Sequence, residues 1–225
     1  MLSADNSIYQ DIENAERDLA LKDKTEMRGY VYGIHENRKT GIRESFRVNP
    51  NHIVINGRKW LMQRAVGGSI FGATPAEKPH NWTINWFGVG NGGANSADPF
   101  TPFYTPDQQE ELISPLKIFS RYREDFKYTK DGFKKTFEKH DNLNAQMRVD
   151  VINSEVVALF HLILDYDDCP YNQPYQGVQI SELALYASAS EDPDEKNFTM
   201  FSRYCMPTKF KSSDDKYTFL WFIYF

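Results

Sequence analysis

From residue 29 onward the chain reads as a series of short segments in which apolar and polar positions alternate. Gly29-Tyr-Val-Tyr-Gly-Ile34, Trp82-Thr-Ile-Asn-Trp-Phe-Gly-Val89, Met147-Arg-Val-Asp-Val-Ile152 and Gln179-Ile-Ser-Glu-Leu-Ala-Leu-Tyr-Ala187 read as strands. Val156 to Tyr166 is a longer apolar run whose β-branched and aromatic content favours strand over helix. Phe198 to Cys205 reads as a strand closed by Pro207, and Leu116 to Tyr122 and Asp125 to Tyr128 as shorter ones. Turn signals fall at Thr40-Gly41, Gly132 and the polar stretch Lys209 to Lys216, and loops at Asp167 to Pro174 and Ser188 to Asn197.

Helical spacing occurs in two places. Ile8, Ile12, Ala15 and Leu19 form a narrow apolar stripe behind an Asn6 or Ser7 cap, on a segment whose other faces are charged. Such a helix needs a host surface. After the β-branched run Ile53-Val-Ile, Asn56-Gly57 interrupts the strand, and Arg58 to Val66 predicts a short helix ending at Gly67-Gly68. Between residues 94 and 112 lie Pro99, Pro102 and Pro106, which predict an extended arm, and Asp107 to Leu112 fits a helical turn.

The final segment, Tyr217 to Phe225, is apolar on both faces, with Tyr217, Phe219, Trp221, Ile223 and Phe225 on one side. A free strand of that kind would aggregate, so it belongs in the core or under a neighbouring subunit. The expected fold class is mainly β: a β-sandwich-like domain with short helices, an N-terminal helix and an extended Pro-rich arm. The expected organisation is an N-terminal helical docking arm over 1–28 and a β-rich domain over 29–225. That domain carries the arm at about 94–112 and a charged insertion at about 121–139. No internal repeat is evident.

Composition shifts this picture toward assembly. Aromatic residues make up 15 % of the 225 residues, which suits pleated half-buried surfaces and also protein interfaces. The net charge of −5 disfavours a general nucleic-acid binder, and no direct DNA contact is expected. The basic strip Lys127 to Lys139 reads as a solvated hairpin tip or helix face. No signal-peptide pattern opens the chain and no apolar run approaches ~20 residues, so a soluble species is expected. Cys169 and Cys205 are core thiols or one disulfide.

Chemistry-bearing patterns are few. Gly88, Gly90 and Gly93 in Phe87-Gly-Val-Gly-Asn-Gly-Gly-Ala94 match the G-x-G-x-x-G spacing of a dinucleotide loop. That loop needs a helix after the glycines, and Asp98-Pro99 and Thr101-Pro102 forbid one. The glycines are instead expected to supply positive φ where the chain leaves a strand. Five histidines (His35, His52, His80, His140 and His161) lie far apart, so no metal site is expected, and His161 reads as a core residue. Asp165-Tyr-Asp-Asp168 clusters carboxylates; solvated loop acids are the simplest reading, a calcium site or catalytic pair the sharper one. No nucleophile elbow, P-loop or Cys–His signature accompanies it, and no cofactor is expected.

Three segments, His52–Ser69, Ile84–Leu112 and Val178–Phe225, resemble a family of tailed-bacteriophage virion proteins found among tail-fibre, baseplate and neck or collar components. The matching positions are Asn56-Gly57-Arg58, Phe87-Gly-Val-Gly90, Asp98 to Leu112, Ile180-Ser-Glu182-Leu183-Ala-Leu185-Tyr186, Phe201-Ser-Arg203 to Pro207, and Thr218 to Phe225. The family's glycine two positions after the Glu is Ala184 here, a small change; the first 45 residues and Arg121–Lys139 are not covered. The resemblance brings no catalytic or cofactor residues.

It implies a non-catalytic virion component, present as a symmetric set of copies at the neck/collar or baseplate and assembled in the host cytoplasm. It would connect neighbouring tail or fibre proteins, its partners being itself and other virion proteins, with no small-molecule substrate and no membrane. Expected contacts are Ile8, Ile12 and Leu19 on the helix, Phe100, Phe103 and Tyr104 on the arm, and Trp221 and Phe225 on the last strand. Two other classes are a receptor-binding, carbohydrate-binding module that would stack sugars on Trp60, Trp82 and Trp86, and a hydrolase using Asp165, Asp167 or Glu182.

Overall fold

The computed structural model describes residue 14 and residues 28–66, 82–103, 109–118, 128–137, 148–152, 155–166, 168 and 177–224. Among the described residues nine strands carry the fold: β1 (Arg28–Asn37), β2 (Arg43–Ile53), β3 (Thr83–Gly90), β4 (Lys135–Thr136), β5 (Arg148–Ile152), β6 (Glu155–Leu164), β7 (Val178–Ser188), β8 (Thr199–Lys211) and β9 (Asp215–Tyr224). One helix among the described residues, α1 (Ile55–Val66), follows β2. The order β4-β3-β7-β8-β2-β1-β9-β6-β5 is antiparallel at every pairing.

This order divides into two sheets joined through β2. Over most of its length β2 pairs with β1; at its end His52 and Ile53 turn to pair with Arg203 and Ser202 of β8. One buried cluster draws on both sheets. Val31, Phe160, Leu162, Phe219, Trp221 and Ile223 come from the first, and Phe87, Val89, Leu183, Leu185, Phe201 and Met206 from the second. The mainly-β expectation therefore holds, with two sheets sharing one core.

Local chemistry explains the joints. At the β1–β2 turn the Asn37 side-chain oxygen accepts from the amides of Lys39 and Thr40, and Gly41 takes a φ of 68°. At the start of α1, Gly57 faces the backbone of β8 so closely that a methyl group there would overlap the carbonyl oxygen of Phe201. Trp60 then sets its ring edge-on to Phe201 at 5.6 Å.

The last strand is central, not an edge. β9 lies between β1 and β6, pairing from Arg28↔Tyr224 to Asn37↔Asp215 on one side and from Val157↔Tyr224 to Leu164↔Tyr217 on the other. Trp221 is wholly buried in the shared core, and Leu220 and Phe222 on the opposite face are buried as well. Of the two placements open to Trp221, the core is the one found. Phe225 lies outside the described residues, as do Ile8, Ile12, Leu19 and Tyr104; of residues 1–27 only Asn14 is described, and it is helical.

Four local expectations are corrected. β8 continues through Pro207 to Lys211, because the ladder bulges there: Ile180 pairs Lys209 while Glu182 pairs Cys205. A proline amide has no hydrogen to give, and a bulge leaves it none to give. The turn after β8 consequently shrinks to Ser212–Asp214, with Lys209–Lys211 and Asp215–Lys216 in strands. Leu116–Ile118 is not a strand: only the Leu116 amide follows the Val89 carbonyl of β3, at 2.8 Å, before Ile118 turns to Gly132. Residues 109–112 are not helical, and the Leu112 amide donates to the Glu111 side chain at 3.0 Å.

The basic strip is also partly internal. Tyr128 to Lys135 does form a small hairpin, with Gly132 at φ 78°. Lys135, however, is buried and bonds Asp168 at 2.8 Å and the Ile163 carbonyl at 2.9 Å. Lys134 sets its ammonium over the rings of Tyr186 and Phe198, 4.5 and 4.6 Å from their centroids.

Candidate functional site

The glycine run leads to the most elaborate polar arrangement in the described chain. Gly90 ends β3; residues 91–103 leave the sheet there, and residues 109–114 run back beside that point. Gly90 and Pro115 form an antiparallel bridge, and the Asn91 amide donates to the Ser114 carbonyl at 3.0 Å. This excursion is closed at its neck. Its outgoing leg, 91–103, folds back on itself through a bridge between Ala94 and Pro102 and a 2.8 Å bond from the Phe103 amide to the Gly93 carbonyl. Asp98 shapes the tip by accepting from the Phe100 amide and the Thr101 hydroxyl. The Pro99 carbonyl then accepts from the Thr208 amide of β8 at 2.8 Å.

The described half of the Pro-rich segment is therefore a compact loop, not an extended arm. Prolines limit φ but do not prevent a turn, and Asp98-Pro99 is a good turn start. The glycines likewise act differently from expectation. Among the described residues the glycines with positive φ are Gly41, Gly132 and Gly177; none belongs to this run. The run is glycine because backbone meets backbone: a methyl at Gly93 would overlap the Ser181 carbonyl oxygen, and one at Gly92 would sit 2.6 Å from Cβ of Ile113.

Under the neck lies Glu182 of β7, fully buried and paired with the equally buried Arg203 of β8. Oε2 accepts from Arg203 Nε at 2.9 Å and Nη2 at 2.5 Å, and from the Ile113 amide at 3.2 Å. Oε1 accepts from the amides of Gly92 at 3.0 Å and Ser114 at 2.8 Å. Beside it the Ser181 hydroxyl accepts from the Gly93 amide at 2.9 Å. The register explains the pairing: Ala184 faces Arg203, so Glu182 is the diagonal neighbour on the same face. Arg203 Nη1 is buried and has no hydrogen-bond partner among the described residues.

The return leg has an anchor of its own. The Tyr186 hydroxyl donates to Glu111, and Lys134 Nζ stands 3.5 Å from the same carboxylate. Burial first, then the Glu111 carboxylate, holds the Tyr186 phenol far above its ordinary range, so it stays a donor.

The residues singled out in the sequence are thus redistributed. Asn56 to Arg58, Gly90, Glu182, Phe201 and Arg203 converge on β7, β8 and the elements against them, and they pack or pair there. Phe100 and Phe103 stand out from the excursion, 79 % and 46 % exposed, joined by Ile113 at 56 %. Glu182 is closed off by its ion pair, Asp165 is exposed after β6, and Asp167 lies outside the described residues. Asp168 is not a solvated acid; Lys135, the Asp165 amide and the Tyr128 hydroxyl engage it. Trp86 is wholly buried and its Nε1 donates to the Ser190 carbonyl at 2.9 Å, so it offers no sugar platform. Trp60 is committed to Phe201. Cys205 is buried, and Cys169 lies outside the described residues.

Sequence reasoning missed Arg203 and misread Glu182. The available signal was a single charge inside each of two apolar strands, Ile180-Ser-Glu-Leu and Phe201-Ser-Arg-Tyr. Charges in such strands are buried and must find each other. Among the described residues no group of three or more His, Cys, Asp or Glu is placed to hold a metal ion, and no helix is long and apolar enough to cross a membrane. Comparison of the chain with protein-family models, with curated proteins and with solved structures finds no match.

Proposed function

We propose that the chain is a structural, non-catalytic component of a tailed-phage virion, working as a set of copies that joins neighbouring neck, baseplate or fibre proteins. The observation that carries this reading is the excursion over 91–114. It is held closed at its neck, yet it directs Phe100, Phe103 and Ile113 outward. Large apolar side chains on a fixed support are what a protein contact uses, because ordering costs little on binding. Of the motif positions that carry the phage resemblance, Gly90, Glu182 and Arg203 pack or pair at that support, which suits a binding protein.

The experiment is light scattering of the purified protein, alone and after mixing with virion particles. The wild-type chain forms a discrete oligomer or joins the particles. Phe100→Ser with Phe103→Ser keeps the melting temperature, because exposed positions contribute within about 0.5 kcal/mol, but loses the association. A wild-type monomer that ignores virions and binds host glycans would overturn the reading in favour of receptor recognition.

A further inference from the structure

Both legs of the excursion meet at one carboxylate. Gly92 belongs to the outgoing leg and Ile113 and Ser114 to the returning one, and all three amides donate to Glu182. We propose that Glu182 is a positioning residue: its carboxylate latches the two legs together and so sets where Phe100, Phe103 and Ile113 stand. The role of those three side chains rests on the assembly reading above; the latch itself does not.

The chemistry favours a latch over a merely tolerated buried charge. Amides turned inward from irregular backbone need acceptors, and regular ladder partners are lacking at a loop neck. A carboxylate offers about four lone-pair sites and no donor, so it can serve several amides and a guanidinium together. Arg203 supplies the balancing charge from the neighbouring strand. The surrounding glycines bring backbone within reach: a methyl at Gly92 would stand 2.9 Å from Oε1. Buried ion pairs add little net stability, and their best-attested use is to select one arrangement among several.

The test is Glu182→Gln, an isosteric change that turns one acceptor into a donor facing other donors. Hydrogen exchange at the amides of Gly92, Ile113 and Ser114 should rise by about tenfold or more, as expected for a lost charged acceptor. Chymotrypsin should cut faster after Phe100 and Phe103, while amides of β6 and β9 stay protected. Unchanged protection of the three amides overturns the latch. If the variant does not fold, the wild-type chain decides. The three amides should open together, below the global unfolding free energy; exchange only through global unfolding, or at unrelated rates, overturns the proposal. A variant with a loosened excursion but normal virion association supports the latch and overturns the contact role. A protected excursion overturns the latch whatever the association does.

Discussion

Gly93 shows how one residue type serves two purposes that a sequence does not separate. A glycine before a Pro-rich segment reads as a turn; here it is glycine because the Ser181 backbone lies against it. Its φ is ordinary, so the penalty for a side chain is steric. Gly93→Ala should cost about 1–3 kcal/mol in urea unfolding, the usual range for overpacking. Asp215 gives a second residue-scale prediction. Burial alone would raise its pKa, but hydrogen bonds from Ser212, His35 and Asn37 outweigh that and bring it to about 2. A carboxyl depressed in the folded state stabilises above its unfolded value near 3.8, and that stability fades as pH falls toward 2. Asp215→Asn should remove roughly 1 kcal/mol at pH 7 after allowance for solvent screening, and little at pH 2. Denaturation series at both pH values check it. Contacts of this kind depend on register, which no single residue announces.

At the scale of elements, alternation was legible and termination was not. The strands at 82–89, 147–152, 156–166 and 179–187 stand where the pattern placed them, within a residue or two, while the one at 29–34 runs three residues further, to Asn37. The helix was legible from Arg58 onward, although it begins at Ile55. Pro207 misled because a bulge absorbs a proline, and bulges follow from pairing with β7, a distant stretch of chain. Leu116–Ile118 misled because three alternating residues can line a strand without joining its ladder. The two-faced pattern of β9 left the core and a subunit interface both open, and pairing with β1 and β6 places it in the core. Trp221→Ala in that strand should cost about 3–5 kcal/mol, the range for emptying a large buried aromatic site. Calorimetry compared with Phe100→Ala, at an exposed position, would show the contrast.

For the whole molecule, the class of fold was legible and the candidate site was half so. Phe100 and Phe103 were named from the sequence and are exposed, whereas the Glu182–Arg203 support beneath them required two strands to be aligned first. The position of β9 bears on something other than stability. Arg28 pairs with Tyr224, so β1 emerges from the ribosome long before its neighbour exists. At synthesis rates of roughly 5–20 residues per second, β1 and β6 wait many seconds for the strand that lies between them. The other sheet waits as well, because β3 pairs with β7, which lies far along the chain; only β7 and β8 follow each other directly. Birth of this protein is therefore ordered in time: early strands of both sheets are held open until late ones arrive, β3 until β7 and β1 until β9.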